Sequence, residues 1–451
     1  MNHPPRSCRR RAAFATTLLL TAAVPAQDLL TKAAPQTAPI LLHNGVLHTV
    51  SGGIVLGGSL WLENGRIRAV LAAGEQPSPP LGDDAIVIDL QGKHVYPGLI
   101  SAHTSLGLVE IGAVRQTVDT SELGELTPEA IAAVAVNPDS AAIPVARANG
   151  VLVAATFPSG GLLPGRASVI QLDGWTNADM TVRSEAGPVV AWPQQRHGDG
   201  LRRGRRGPAS GDDDAGDAVA KQRQRIDLAF TAARAWLDAR SADAAVPIDI
   251  RHAALVPALR GEVPVFVLAD ELEQIESAVA WAARRQLRVV IVGGRDAAAC
   301  ATLLRERDVP VIVDGVHELP RREDSAYDEP FTLPARLADA GLRFCIATGQ
   351  DFSFDRNLPY HAATAAAFGL DRERALAAIT LDAARILGVG DRLGSLEAGK
   401  DATLLVTDGD PLELPTRVEL AFVGGRQVTL RSKQSELAKK YRERYRQQRG
   451  R

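Results

Sequence analysis

The segment Tyr96-Pro97-Gly98-Leu99-Ile100-Ser101-Ala102-His103 separates two textures of sequence. Upstream of it, residues 40–62 read as short strands broken by Asn44-Gly45 and Gly52-Gly53. Glu63-Asn64-Gly65-Arg66 then forms a hairpin signal leading into residues 67–71, because Asn-Gly supplies the positive φ that a tight two-strand turn requires. Residues 85–90 and 94–96 continue the β pattern. Downstream of Pro97, apolar runs at 99–103, 151–157, 168–172, 188–192, 263–269, 287–292, 310–313 and 342–348 read as strands. Ala-rich segments such as 271–285 and 297–307 carry helical periodicity between them. Such alternation predicts an α/β chain built on a parallel (β/α)8 TIM-like barrel, spanning 97–395. His103 ends the first of these strands, and the C-terminal strand ends are where such barrels carry chemistry.

The 451 residues suffice for this domain plus a smaller one. Hydrophobic residues make up 45% and charged residues 23%, as in ordinary globular chains. A net charge of −2 gives no electrostatic case for nucleic acid or an anionic membrane, and 4% aromatics argues against stacking platforms for single strands. A small-molecule substrate is the expected partner, and homo-oligomerisation is left open.

Residues 1–26 read as a signal peptide. Arg6, Arg9, Arg10 and Arg11 form a basic n-region, residues 14–24 form a short apolar run, and Val24-Pro25-Ala26 offers a small-residue cleavage site. The run is too short to remain as a spanning helix. The mature chain is therefore expected to start near Gln27, to be exported to the periplasm or medium, and to carry no transmembrane segment. Cys300 and Cys345 would survive cleavage; both lie in apolar or Ala-rich surroundings and read as buried thiols. Residues 196–217 run from a basic cluster, Arg202-Arg203-Gly204-Arg205-Arg206, to Asp212-Asp213-Asp214, and read as a solvated, flexible loop. Residues 431–451 read as a charged, helix-compatible tail.

Three stretches together resemble the amidohydrolase superfamily. The first runs from Asn44-Gly45-Val46 to the Pro97–His103 stretch, similar to that family's opening sheet and first barrel strand. The second, Ala347-Thr348-Gly349-Gln350-Asp351, is similar to its eighth strand with a closing aspartate. The third, Ala383-Ala384-Arg385-Ile386-Leu387-Gly388 through Gly394-Ser395-Leu396-Glu397-Ala398-Gly399-Lys400-Asp401-Ala402, resembles the imidazolonepropionase-like branch. The resemblance implies a small composite β-sandwich built by both chain ends, 40–96 and 396–430. In it, 402–406 and 418–430 would pair with 40–71.

The resemblance also implies hydrolysis of a carbon–nitrogen bond other than a peptide bond, in a small amide or cyclic amide. One or two divalent ions, zinc among them, would activate water at the barrel mouth. Family sites draw ligands from His-x-His on strand one, from histidines ending strands five and six, and from the strand-eight aspartate. Here strand one reads His103-Thr104-Ser105, and Leu268 and Gly293 align with the strand-five and strand-six ligands. Only His103 and Asp351 match by position, which implies a degenerate site binding metal weakly or not at all. Both are also the candidate catalytic groups, with Asp351 as the base for water attack. His317 and Asp324 are candidate extra ligands, beside Glu318, Tyr327 and Asp328, with Asp119, Ser121 and Glu122 on the segment after strand one. Two further readings stand beside this one: a silent barrel that binds a small ligand or partner at its mouth, and a metal-free enzyme with Asp351 and His103 as acid and base.

Overall fold

Period-two burial runs through the first strand, Ile40–His48, and breaks at Asn44, whose φ of 59° inserts an irregularity into the pairing with the next strand. The computed structural model describes residues 30–194, 212–320 and 322–450. The expected signal peptide lies outside the described residues. Strands β1 (Ile40–His48), β2 (Ile54–Glu63), β3 (Arg66–Leu71), β4 (Ile86–Asp89) and β5 (His94–Pro97) precede the barrel. The barrel strands are β6 (Leu99–Thr104), β7 (Val151–Thr156), β8 (Gly165–Gln171), β9 (Thr181–Ala191), β10 (Val265–Ala269), β11 (Val289–Gly293), β12 (Val311–Asp314) and β13 (Phe344–Ala347). Three more, β14 (Leu404–Thr407), β15 (Val418–Val423) and β16 (Arg426–Gln427), follow it.

Both chain ends enter one sheet, in the order β16-β15-β14-β5-β1-β2-β3 with β4 on β1. In hydrogen-bonding terms the expected sandwich is therefore a single eight-stranded sheet. The closing strands do not pair along 40–71 as expected. β14 runs antiparallel to β5, with Leu404 opposite Pro97 and Thr407 opposite His94, and an isolated bridge joins Arg66 to Asp401. The short β5 is the obligate neighbour because it leads straight into β6, so the returning chain meets the departing one at the barrel's edge. Leu42, Leu60, Val95, Leu404 and Phe422 pack together in the core of this sheet.

The second sheet orders its eight strands β13 to β6 without a gap. All eight stretches read as strands are strands here, but they are not all parallel: β8 runs antiparallel to both β7 and β9. A hairpin-length connection joins β7 to β8, too short for the helical crossover that parallel neighbours need. Side chains alternate between two cores. Phe266, Val290, Val292 and Ile312 face inward with Phe157, whereas Val265, Val267, Ile291, Val311 and Val313 face the surrounding helices.

One helix corrects the sequence reading. Part of the expected 196–217 loop, from Asp212 on, already belongs to the helix Asp212–Ala242. Its Ile226, Phe230 and Ala233 are fully buried in the main core. Residues Lys433–Arg449 of the charged tail form a helix that buries none of its residues. Among the described residues, no helix is long and apolar enough to cross a membrane.

A buried ion pair fastens the terminal sheet to the barrel. Arg147 donates to Asp173 at 3.1 Å and to the Leu172 and Thr429 carbonyls, and Arg426 reaches the same aspartate at 3.0 Å. Arg147 and Asp173 are both about 1% exposed, so neither charge has water to fall back on.

Candidate active site

The inner face of the strands dictates what reaches the C-terminal mouth. On β12, Ile312 faces inward, and period two brings Asp314 to the same side at the strand end. On β10, Phe266 and Leu268 face inward, which brings Asp270 to the rim in the same way. His103, at 3% exposure, is buried with its ring edge-on to Phe157, centroids 4.7 Å apart. Its Nδ1 lies 2.7 Å from Asp314 Oδ2. A carboxylate oxygen accepts, so Nδ1 carries the proton and donates. In the neutral ring Nε2 keeps its lone pair, and it is buried with no hydrogen-bond partner among the described residues.

Asp314 also lines a cavity of about 30 Å³ with Asp270, Arg295, Glu318 and Arg322, room for a water or two. Arg295 stands between Asp270 and Glu318 at 3.7 and 3.6 Å, and Arg322 forms a forked pair with Asp296. Behind β6 lies a second carboxylate. Asp355 is fully buried and accepts from Ser101 Oγ and Thr104 Oγ1, each at 2.6 Å, and from Thr348 Oγ1 at 3.0 Å. Burial pushes it up to about 6 against the pull of these hydroxyls.

The residues singled out in the sequence end up apart. Asp351 is exposed and caps the short helix Phe352–Asn357, accepting from the Ser353 N–H at 2.9 Å. His103 is paired with Asp314 rather than with Asp351. Strand eight still approaches strand one, because Ser105 donates both its N–H and its Oγ–H to the Gln350 carbonyl. His317 is exposed at the end of strand seven, with Nε2 2.7 Å from Thr364 Oγ1 and its ring 4.1 Å from that of His361. Partial desolvation of its ring against His361 lowers His317, and burial brings His361 down to about 3. Asp324, Tyr327 and Glu318 are exposed, and Asp328 precedes the helix Glu329–Asp339 as its cap residue. Asp119, Ser121 and Glu122 line a separate surface pocket near Pro158 and Pro164. Cys300 and Cys345 are buried free thiols.

Asp314, Asp270 and Asp355 escaped the sequence reading. The first two carry a signal, an acid directly after an apolar strand on its inward phase. Asp355 carries none, since its value depends on hydroxyls about 250 residues away.

The donor set does not fit the family's zinc centre, which needs three or more converging ligands. Leu268 offers no lone pair, Ser105 Oγ is engaged with Gln350, and Gly293 has no side chain. Among the described residues, no three His, Cys, Asp or Glu side chains are grouped so as to hold a metal ion.

A buried strand-one histidine at the mouth of an eight-stranded barrel, with a composite sheet from both chain ends, makes an architecture similar to that of amidohydrolases. The amidohydrolase family model matches residues 289–432. The chain is also similar to imidazolonepropionases over part of its length. The imidazolonepropionase of Brucella suis is 29% identical over 161 residues, covering 35% of this chain and 38% of that protein. The amidohydrolase tasK of Hapsidospora irregularis is 23% identical over 386 residues, covering 79% of this chain. The matches thus span 38% of the length of these two relatives. The crystal structure of an amidohydrolase from Thermotoga maritima shares the fold, with a TM-score of 0.75 and 23% identity over 87% of this chain and 100% of that one.

Proposed function

We propose that this protein is a hydrolase of the amidohydrolase type that cleaves a carbon–nitrogen bond, other than a peptide bond, in a small amide or cyclic amide. The observation that carries the reading is the buried His103–Asp314 pair with Nε2 unpartnered. Asp314 holds the Nδ1 proton, so Nε2 accepts a proton from water as the water oxygen bonds to the carbonyl carbon. The imidazolium formed beside Asp314 then returns the proton to the leaving nitrogen as the C–N bond breaks.

Asp351 as the base is the competing assignment. In its favour, the Ser105–Gln350 contacts hold its segment against the strand that bears His103. Against it, its carboxylate is already engaged as a helix cap. The basic cluster and apolar run before Gln27 support export, and N-terminal sequencing of protein from the native host checks it.

The test incubates purified protein with a panel of primary amides, N-acyl amino acids, lactams and five-membered cyclic amides, and follows amine and carboxylate release by mass spectrometry. Hydrolysis lost in H103N and largely kept in D351N supports the His103 assignment. The reverse pattern transfers the role to Asp351. Absence of hydrolysis across the panel, or hydrolysis indifferent to both variants, overturns the proposal.

A further inference from the structure

We infer that Asp355 is a positioning residue for His103: its carboxylate fixes the one-residue irregularity in β6 that turns the imidazole into the barrel mouth. The functional weight of this inference rests on the proposed role of His103, whereas its geometry stands independently.

In β6, Ser101 lies opposite Ala154 and Thr104 opposite Thr156, so three steps of one strand match two of its neighbour. In a regular strand, residues three apart face opposite sides. Here the Ser101 and Thr104 hydroxyls both donate to the same carboxylate, so they share one side. The extra residue is taken up between them, as in a β-bulge. Ile100 and Ala102 belong to the inner core, and unbroken alternation would send His103 outward with Ser101. The irregularity instead delivers it to Phe157 and Asp314 on the inner side.

Asp355 is well placed to hold this phase. Thr348 Oγ1 donates to it from the far side, and the Thr104 hydroxyl also accepts from the Leu106 N–H at 3.0 Å. The carboxylate thus joins β6 to the segment after β13, the two strands at opposite ends of the barrel sheet's pairing order. Burying a carboxyl group there is costly unless it is fully bonded, and two of its three donors flank His103 in sequence.

Thr104→Val removes the hydroxyl at nearly constant shape, Thr104→Ser restores it, and Asp355→Asn weakens the acceptor at constant size. Full-length protein labelled with ¹⁵N-histidine reports the His103 tautomer by NMR, alongside kcat and KM for any amide that the panel identifies. The expected result is a single Nδ1–H tautomer in the parent and T104S. In T104V and D355N a tautomer mixture should appear, with kcat down about 10²-fold and KM little changed, as misplacement of a reacting group produces. A parent-like tautomer in folded T104V overturns the inference, and T104V decides alone if D355N does not fold. Loss of the tautomer in a protein with no amide hydrolysis would uphold the positioning and sink only the proposed reaction.

Discussion

His103 Nδ1 and Asp314 Oδ2 meet at 2.7 Å across 211 positions of sequence, and the contact joins barrel strands one and seven. Removing the imidazole as H103N should lower kcat by about 10²–10⁴-fold, the usual contribution of a general base. D314N should also lower kcat, because an amide can donate to Nδ1 and so favour the wrong tautomer. Steady-state kinetics with thermal melts separates these effects from misfolding: both variants should melt near the parent.

Asp355 should give stability an unusual pH slope. Its folded value, about 6, lies above the ordinary 3.8, so the folded state holds a proton that the unfolded state has released. Its contribution therefore weakens as pH rises from about 4 to 6, by about 3 kcal/mol in total. Urea unfolding at several pH values should show the stability gap between parent and D355N narrowing or reversing over that window. A gap that widens with rising pH would contradict the burial-driven shift.

Gly293 cannot be turned into a metal ligand without damage. A Cβ there would sit 2.4 Å from Asp270 Oδ1, on a backbone with φ of 103°. G293H should lose about 2 kcal/mol or more from strain and gain no zinc affinity. Calorimetry of unfolding with zinc titration checks both.

The cap role of Asp351 predicts a graded series. D351A should cost about 1 kcal/mol, whereas D351N should be nearly neutral, since asparagine caps as well as aspartate. Denaturant unfolding of the two variants provides the comparison.

The mismatch between the mouth residues and a three-ligand centre predicts that hydrolysis of the panel amides resists chelation. Dialysis against EDTA should leave kcat unchanged, and elemental analysis should find zinc well below one per chain. Tightly held stoichiometric zinc would require loop residues such as His317 or Asp324 to complete a shell.

Much of the architecture was legible because it is written locally. The eight apolar runs, the Asn-Gly turn at 64–65 and the Pro97–His103 stretch each report a period or a dihedral that neighbouring residues impose, and the order of elements follows from them. His103 was legible for the same reason, as the residue ending a strand. Tertiary structure alone decided its partner, the reversed direction of β8 and the pairing of β14 with β5. These depend on how the sheet closes, and closure brings together residues whose spacing in the chain carries no periodic signal. The contrast is sharpest at Thr104: the sequence shows a hydroxyl beside a histidine, and only the buried carboxylate of Asp355 makes it part of the device that turns that histidine inward.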